Sequence, residues 1–180
     1  MTECLCYMLS RDKCPKHGKD EFISKYGGIR LDIGCGEIKR PNCIRLDKRK
    51  LDGIDIVHDL EEFPYPLPDE CCVQIIGSHI IEHIRPEFTI DMFNELWRIM
   101  KLDGELILST PYAGTTLYWQ DPSHCNGFNQ VTFQYFDPGF PLYEVYKPKP
   151  WKIRHNTWQA NGILEVILEK MNGTDNSRTS

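Results

Sequence analysis

The stretch Ile29-Arg30-Leu31-Asp32-Ile33-Gly34-Cys35-Gly36 constrains the fold of this chain more than any other. A short apolar run that ends in Gly-x-Gly is typical of a buried parallel strand leading into a turn whose backbone approaches a ligand closely. The stretch therefore predicts both a first strand and a binding site at its end.

A second strand pattern follows at residues 43–47 and ends in the carboxylate of Asp47. In doubly wound α/β sheets ligands lie outside the carboxyl ends of the strands, where an acid after the second strand can accept hydrogen bonds from both ribose hydroxyls. This spacing predicts a cofactor that contains a nucleoside.

The same region argues against a dinucleotide. Lys39 stands where the third glycine of the dinucleotide fingerprint is expected, and Pro41 interrupts the residues available for a phosphate-binding helix. An adenosine ligand without a pyrophosphate fits better, and a nicotinamide-dependent oxidoreductase is the weaker alternative.

The motifs resemble those of class I S-adenosylmethionine-dependent methyltransferases, in the order that this family has them. They are Leu31-Asp32-Ile33-Gly34-Cys35-Gly36, Asp47, His58-Asp59-Leu60, Ser78-His79-Ile80-Ile81-Glu82-His83 and Lys101-Leu102-Asp103-Gly104. The short connection between the first two strands is similar to a compact branch of the family, the methyltransferase type 11 domains.

The resemblance implies a set of residues that bind S-adenosylmethionine. Asp47 would hold the ribose, and Asp59 with the backbone of Leu60 would recognise the adenine. The full implied set is Asp32, Gly34, Cys35, Gly36, Asp47, Asp59, Leu60, Ser78 and His79.

The resulting expectation is an α/β Rossmann-like methyltransferase fold with a mostly parallel sheet. Strands are predicted near residues 29–33, 43–47, 55–59, 73–77 and 105–110, a helix at 86–100 and the start of another at 131–136. Residues 151–154 and 162–170 predict an antiparallel C-terminal hairpin. Only seven residues separate Gly36 from Ile44, too few for the usual crossover helix.

The turn after the fourth strand carries the densest group of titratable side chains, His79, Glu82 and His83. His-x-x-Glu-His is also the inverted zinc-protease motif. We do not adopt that interpretation, because the protease motif lies on a helix, whereas here the string follows a buried strand and precedes Pro86. The methyl acceptor would meet the sulfonium at this turn, which makes His79 a candidate catalytic residue.

A second group of candidate catalytic residues follows the fifth strand in Trp119-Gln120-Asp121-Pro122-Ser123-His124. His124 can act as a general base that deprotonates the acceptor, with Asp121 orienting its ring. Alternatively, both side chains only cap and fix the loop.

The N-terminal region, residues 1–28, contains Cys4, Cys6, Cys14 and His17. Three thiolates and an imidazole can surround one tetrahedral zinc ion, which would be structural because four protein ligands leave no open position. The alternative is a loose cysteine-rich arm. Residues 29–170 are expected to form the methyltransferase domain, and residues 171–180 a disordered tail.

Composition sets wider bounds. The 180 residues are 41% hydrophobic and carry a formal net charge of -5, which suits one domain with a single core and gives no strong nucleic-acid signal. The sequence has no pattern for a membrane span or a secretory leader, so a cytoplasmic protein with no membrane partner is expected.

The sequence thus predicts transfer of a methyl group from S-adenosylmethionine to an oxygen or nitrogen of a small-molecule or nucleotide-like acceptor. The alternative is a non-catalytic module that has this fold and binds a cofactor or a partner protein.

Overall fold

The computed structural model describes residues 27–172, in which seven strands form one sheet. The strands are β1 (Ile29–Ile33), β2 (Ile44–Asp47), β3 (Ile56–Val57), β4 (Cys72–Ser78), β5 (Met100–Pro111), β6 (Trp151–Trp158) and β7 (Ile163–Lys170). Their order across the sheet is β3-β2-β1-β4-β5-β7-β6.

The first five strands are parallel, and the C-terminal pair is antiparallel. β1 pairs in parallel with β2 and β4, β2 with β3, and β4 with β5, whereas β7 pairs antiparallel with both β5 and β6. The expected α/β Rossmann-like fold with an antiparallel C-terminal hairpin is therefore confirmed. The carboxyl ends of β1 to β4 meet at one edge of the sheet, where the candidate site lies.

Within residues 27–172 helices are few and mostly short. They are α1 (Thr89–Ile99), α2 (Thr116–Trp119), α3 (Gln130–Gln134) and α4 (Tyr143–Tyr146), with single 3₁₀ turns at Ile81–His83 and Pro86–Phe88. The helix predicted over 86–100 is thus a proline-initiated 3₁₀ turn followed by α1. No helix within residues 27–172 has the length and apolar character needed to cross a membrane.

Helix α1 packs on one face of the sheet. Its buried side chains Met92, Phe93, Leu96 and Ile99 recur at helical spacing, so they form one apolar stripe. The ring of Phe93 lies 4.3 Å from that of Phe136, which follows α3. These contacts join α1, α3 and the sheet into one core.

The segment that connects β1 to β2 contains no helix, as its length predicted. The buried Arg45 side chain stabilises it instead by donating a hydrogen bond to the carbonyl oxygen of Gly36 (2.9 Å), while a second bond holds the carbonyl oxygen of Asp52 (3.2 Å) in the loop between β2 and β3. The first crossover is therefore a loop that an arginine fastens to the sheet.

The predicted turn at Lys101-Leu102-Asp103-Gly104 differs from the expectation. Helix α1 ends at Ile99 and β5 already pairs with β4 at Met100, so these four residues bulge from the strand before pairing resumes at Glu105. Asp103 takes a left-handed backbone conformation (φ 60°), which short polar side chains tolerate better than most.

Candidate cofactor and acceptor site

A cleft of about 450 Å³ opens at the carboxyl ends of β1, β2, β3 and β4. Five residues expected to bind the cofactor line it: Gly34, Asp47, Asp59, Leu60 and His79. It is also lined by Leu46, Lys48, Arg49, His58, Glu61, Ile80, His83, Ile84 and Ser123. Residues far apart in sequence therefore meet where ligands bind in open α/β sheets.

Gly34 sits at the end of β1 with φ +58°, a conformation that favours glycine. A Cβ atom at this position would lie 2.3 Å from the Ile80 side chain, which lines the same cleft. The amide of Gly34 donates a hydrogen bond to the carbonyl of Leu46 (2.8 Å). The glycine thus lets the β1 turn pack against β2 and the turn after β4.

Asp47 ends β2 with its carboxylate held by backbone amides. Oδ2 accepts a hydrogen bond from the amide of Gly36 (2.8 Å), and Oδ1 accepts one from the amide of Arg49 (2.9 Å). Burial alone would raise the pKa of Asp47, but these bonds and the Arg49 guanidinium lower it below its ordinary value. Asp47 is therefore an ionised hydrogen-bond acceptor.

The Arg49 side chain also contacts that carboxylate, with Nε 3.2 Å from Oδ1. Sequence reasoning did not identify Arg49, although Asp-x-Arg at a strand end is a signal for a local ion pair. The guanidinium occupies acceptor positions of Asp47 that ribose hydroxyls would use.

Asp59 both caps a turn and faces the cleft. Its Oδ1 accepts a hydrogen bond from the amide of Glu61 (3.1 Å), while Asp59 and the buried Leu60 line the cleft beyond β3. The structural role as a turn cap and the expected position beside an adenine are compatible.

Four residues of the expected cofactor set do not line the cleft. Asp32 is buried with its Oδ2 3.2 Å from Arg40 Nε, and burial raises the pKa of Asp32 despite that neighbour. Cys35 is buried, Gly36 reaches the site through its bond to Asp47, and Ser78 Oγ pairs with Ser109 Oγ (3.0 Å). Gly36 donates its amide to Asp47, and the amide of Cys35 donates to the carbonyl of Leu46 (3.5 Å), which also lines the cleft.

The turn after β4 and the loop after β5 meet at one end of the cleft. The carbonyl of Glu82 accepts hydrogen bonds from the amides of Cys125 (3.0 Å) and Asn126 (3.1 Å). These bonds bring the ring of His124 to 4.8 Å from that of His83. The two groups of candidate catalytic residues are therefore neighbours.

His79 takes a left-handed backbone conformation (φ 52°), which is uncommon for a residue that is not glycine. Its Nδ1 lies 3.3 Å from Oε1 of the fully buried Glu82, within ion-pair distance but without the alignment of a hydrogen bond. This contact with Glu82 raises the pKa of His79 above its ordinary value. Backbone strain of this kind clusters at functional sites.

The orientation of His124 differs from the one expected. Its Nδ1 lies 2.6 Å from the carbonyl oxygen of Tyr118, which can only accept, so the nitrogen donates. Asp121 Oδ2 is 3.9 Å from His124 Nε2, and the Asp121 carboxylate instead accepts from Ser123 Oγ (2.6 Å). The Tyr118 carbonyl rather than Asp121 orients the ring.

The zinc ligands expected in the N-terminal region, Cys4, Cys6, Cys14 and His17, lie outside the described residues. Of the cysteines that the structure describes, Cys35, Cys71, Cys72 and Cys125 are free thiols. Structural zinc at the N-terminus stays a prediction.

No protein-family model matches the sequence, and no curated protein does. Solved structures do match the fold. One is an S-adenosylmethionine-dependent methyltransferase from Archaeoglobus fulgidus, with 18% identity, a TM-score of 0.59, and coverage of 85% of this chain and 95% of that one.

Two other similar structures have different acceptors in their descriptions. The 1,6-didemethyltoxoflavin N1-methyltransferase of Burkholderia thailandensis, with bound S-adenosylhomocysteine, has 10% identity, a TM-score of 0.56, and coverage of 83% and 74%. The 16S rRNA adenine-1408 N1-methyltransferase of Catenulisporales acidiphilia has 11% identity, a TM-score of 0.54, and coverage of 81% and 85%. Sequence identities this low support a shared fold but do not assign the chain to a branch of the family. The assignment to the methyltransferase type 11 domains therefore stays a prediction. The chain has the fold of the class I S-adenosylmethionine-dependent methyltransferases.

Proposed function

We propose that this protein transfers a methyl group from S-adenosylmethionine to an acceptor bound beside His79 and His124. The observation that carries the proposal is the cleft at the strand ends, where Asp47 and Asp59 face the same space. An ionised acceptor after β2 and a second acid after β3 match the hydroxyls of a ribose and the amino group of an adenine.

In this arrangement Asp47 binds the ribose and the turn at Gly34 lies beside the amino acid portion of the cofactor. Asp59 and Leu60 border the adenine. The methyl group then points toward His79, at the end of β4. Four further residues of the expected set do not line the cleft, and we assign them a supporting role behind the residues that do: Asp32, Cys35, Gly36 and Ser78.

Methyl transfer from a sulfonium depends chiefly on positioning, because the methyl group is already activated. The acceptor atom, an oxygen or a nitrogen, attacks the methyl carbon in line with the carbon–sulfur bond. His124 Nε2 is the group that we assign to acceptor activation, either by taking a proton or by holding a cation that makes the acceptor more acidic. Asp121 influences the site indirectly, because its carboxylate accepts a hydrogen bond from Ser123, which lines the cleft.

The acceptor is proposed to be a small molecule or a nucleotide-like compound. A cleft of about 450 Å³ lies in the range of small-molecule sites, although the cofactor fills part of it. A cytoplasmic location, expected from the sequence, stays a prediction.

Calorimetric titration with S-adenosylmethionine, S-adenosylhomocysteine and NADH tests the proposal. We expect micromolar binding of the first two ligands, and no binding of NADH. Asp47→Ala should abolish binding, whereas Asp52→Ala, which removes a carboxylate that is 96% exposed, should leave it unchanged. Binding of NADH alone would favour the oxidoreductase, and no binding of any of the three by folded protein would favour the partner-binding module.

A further inference from the structure

Glu82, His83 and His124 form a cluster at the acceptor end of the cleft that the proposed reaction does not by itself require. One ligand atom from each side chain lies within 4.8 Å of the others. We propose that this cluster binds a divalent transition-metal ion through Glu82 Oε1, His83 Nε2 and His124 Nε2.

The first support is the buried carboxylate. Glu82 is fully buried, and while Thr110 Oγ1 donates a hydrogen bond to Oε2 (3.0 Å), Oε1 has no hydrogen-bond partner. Its near neighbours are His79 Nδ1 at 3.3 Å and His124 Nε2 at 3.9 Å. Since a buried carboxylate oxygen is costly to leave without a hydrogen bond, a bound cation is a fitting partner for Oε1.

The second support is the ring tautomer that the hydrogen bonds of both histidines indicate. His124 Nδ1 donates to the Tyr118 carbonyl, which leaves the lone pair of Nε2 free. Ser123 Oγ donates to Asp121, so it accepts from His83 Nδ1 (3.1 Å), and His83 Nε2 is likewise free. Histidines that bind metals characteristically donate their second nitrogen to such an outer partner.

The ligand types select the class of ion. Two imidazoles and one carboxylate with open positions suit zinc or iron(II), whereas Mg²⁺ and Ca²⁺ prefer sites made entirely of oxygen. Ligands bound at about 2.1 Å lie roughly 3.0 to 3.4 Å apart, so the present separations close by about 1 Å when the ion binds. His83 is half-buried and lines the open cleft, which gives it room for that movement.

The ligand set differs from the inverted protease motif, because His79 is not a member of it. Glu82 and His83 come from one 3₁₀ turn, and His124 comes from the loop after β5. The hydrogen bonds from Cys125 and Asn126 to the Glu82 carbonyl preassemble this pair of segments.

The role of the ion in catalysis rests on the proposed function. An acceptor hydroxyl that binds to an open coordination position of the ion becomes more acidic and releases its proton to water. Its oxygen then forms the bond to the methyl carbon as the carbon–sulfur bond breaks, and that bond's electron pair stays on the sulfur of S-adenosylhomocysteine. The inference therefore favours a hydroxyl among the possible acceptors.

Titration of the full chain with Co²⁺, followed by its visible absorption, tests the metal site without any cofactor. We expect one equivalent bound at this cluster, with ligand-field bands typical of nitrogen and oxygen ligands. Glu82→Gln and His124→Ala should each weaken binding by about 100-fold or more, and Thr110→Val by about tenfold, since loss of an outer partner alone weakens metal sites by roughly 10- to 100-fold. His155→Ala, a histidine on β6, is the matched control and should bind normally.

The cysteines of residues 1–28 require a separate control. Cys14→Ser should leave the nitrogen-and-oxygen spectrum unchanged. Thiolate-to-cobalt charge transfer in the wild type, together with no nitrogen-and-oxygen bands in folded Cys14→Ser, would overturn the inference, as would the absence of Co²⁺ binding by folded wild type. Circular dichroism of each variant separates lost binding from lost folding.

The two proposals fail independently. Asp47→Ala should lose S-adenosylhomocysteine and retain Co²⁺, whereas His124→Ala should lose Co²⁺ and retain S-adenosylhomocysteine. Loss of both ligands in folded Glu82→Gln would contradict the separation of the two sites.

Discussion

At the scale of single residues, the pair of Asp47 and Arg49 decides whether the cleft can accept a ribose. Backbone amides hold one position of each carboxylate oxygen, and the Arg49 guanidinium lies over the others, at 3.2 Å and 3.5 Å. If ribose hydroxyls bind Asp47 as proposed, the side chain of Arg49 must move, while the two amides keep the carboxylate in place.

Arg49→Ala is accordingly expected to tighten binding of S-adenosylhomocysteine a few-fold, the modest effect typical of removing an exposed ion pair. Calorimetry at constant ionic strength measures the change. Lys39→Ala removes the same charge from an exposed pair with Asp52 outside the cleft and serves as the control. Weaker binding by Arg49→Ala would mean that the guanidinium contacts the cofactor instead of competing with it.

The lowered pKa of Asp47 makes a prediction about stability. Because the folded-state pKa of Asp47 lies below its ordinary value, the ionised carboxylate stabilises the fold fully at higher pH, and this contribution is lost as pH falls through the folded value. Asp47→Asn should unfold about 1 to 3 kcal/mol more easily near pH 7, and the difference should shrink in acid. Urea denaturation at several pH values tests this; a difference that grows in acid would contradict it.

The sequence identified Asp47, Asp59 and His79 for a simple reason, since they end or follow parallel strands whose carboxyl ends must meet. It did not reveal the guanidinium over Asp47 or the Tyr118 carbonyl behind His124. Both depend on how loops pack, and no local spacing rule encodes such contacts.

At the scale of elements, the turn after β1 is held between β2 and the turn after β4. Gly34→Ala is expected to cost about 1 to 2 kcal/mol for the left-handed backbone alone, and more because the new methyl group meets Ile80. Denaturant midpoints and cofactor titration measure both effects. Gly114→Ala is the matched control, because its Cβ would make ordinary 3.6 Å contacts with Tyr112.

Strands and the long helix were predictable because their apolar periodicity reflects burial directly. The boundaries of these elements were less predictable. The residues 101–104, expected to end the helix as a turn, form a bulge within β5 because β5 already pairs with β4 at Met100. Such pairing depends on a strand far away in sequence.

At the scale of the whole molecule, the cleft exists only when β1 to β4 are assembled. A ligand that binds there stabilises the folded state alone, by about 2.7 kcal/mol at 100 times its dissociation constant. S-adenosylhomocysteine at that excess should raise the melting temperature by roughly 5 to 10 °C. Differential scanning fluorimetry measures the shift, and the same shift in Asp47→Ala would place the ligand elsewhere.

The arrangement of the sheet also explains how residues 27–172 keep this fold with few helices. Arg45 fastens the loop between β1 and β2, and α1 with the aromatic residues near α3 builds the core on one face. Although a loop replaces the usual helix between β1 and β2, the carboxyl ends of the strands keep the arrangement typical of this fold. The cleft is therefore preserved.

A crystal structure of the protein with S-adenosylhomocysteine tests the central claim most directly. We expect ribose hydroxyls on Asp47 with the Arg49 side chain displaced, the adenine beside Asp59 and Leu60, and the sulfur directed toward His79. Electron density for the ligand outside the cleft, or in the cleft with the ribose away from Asp47, would contradict it.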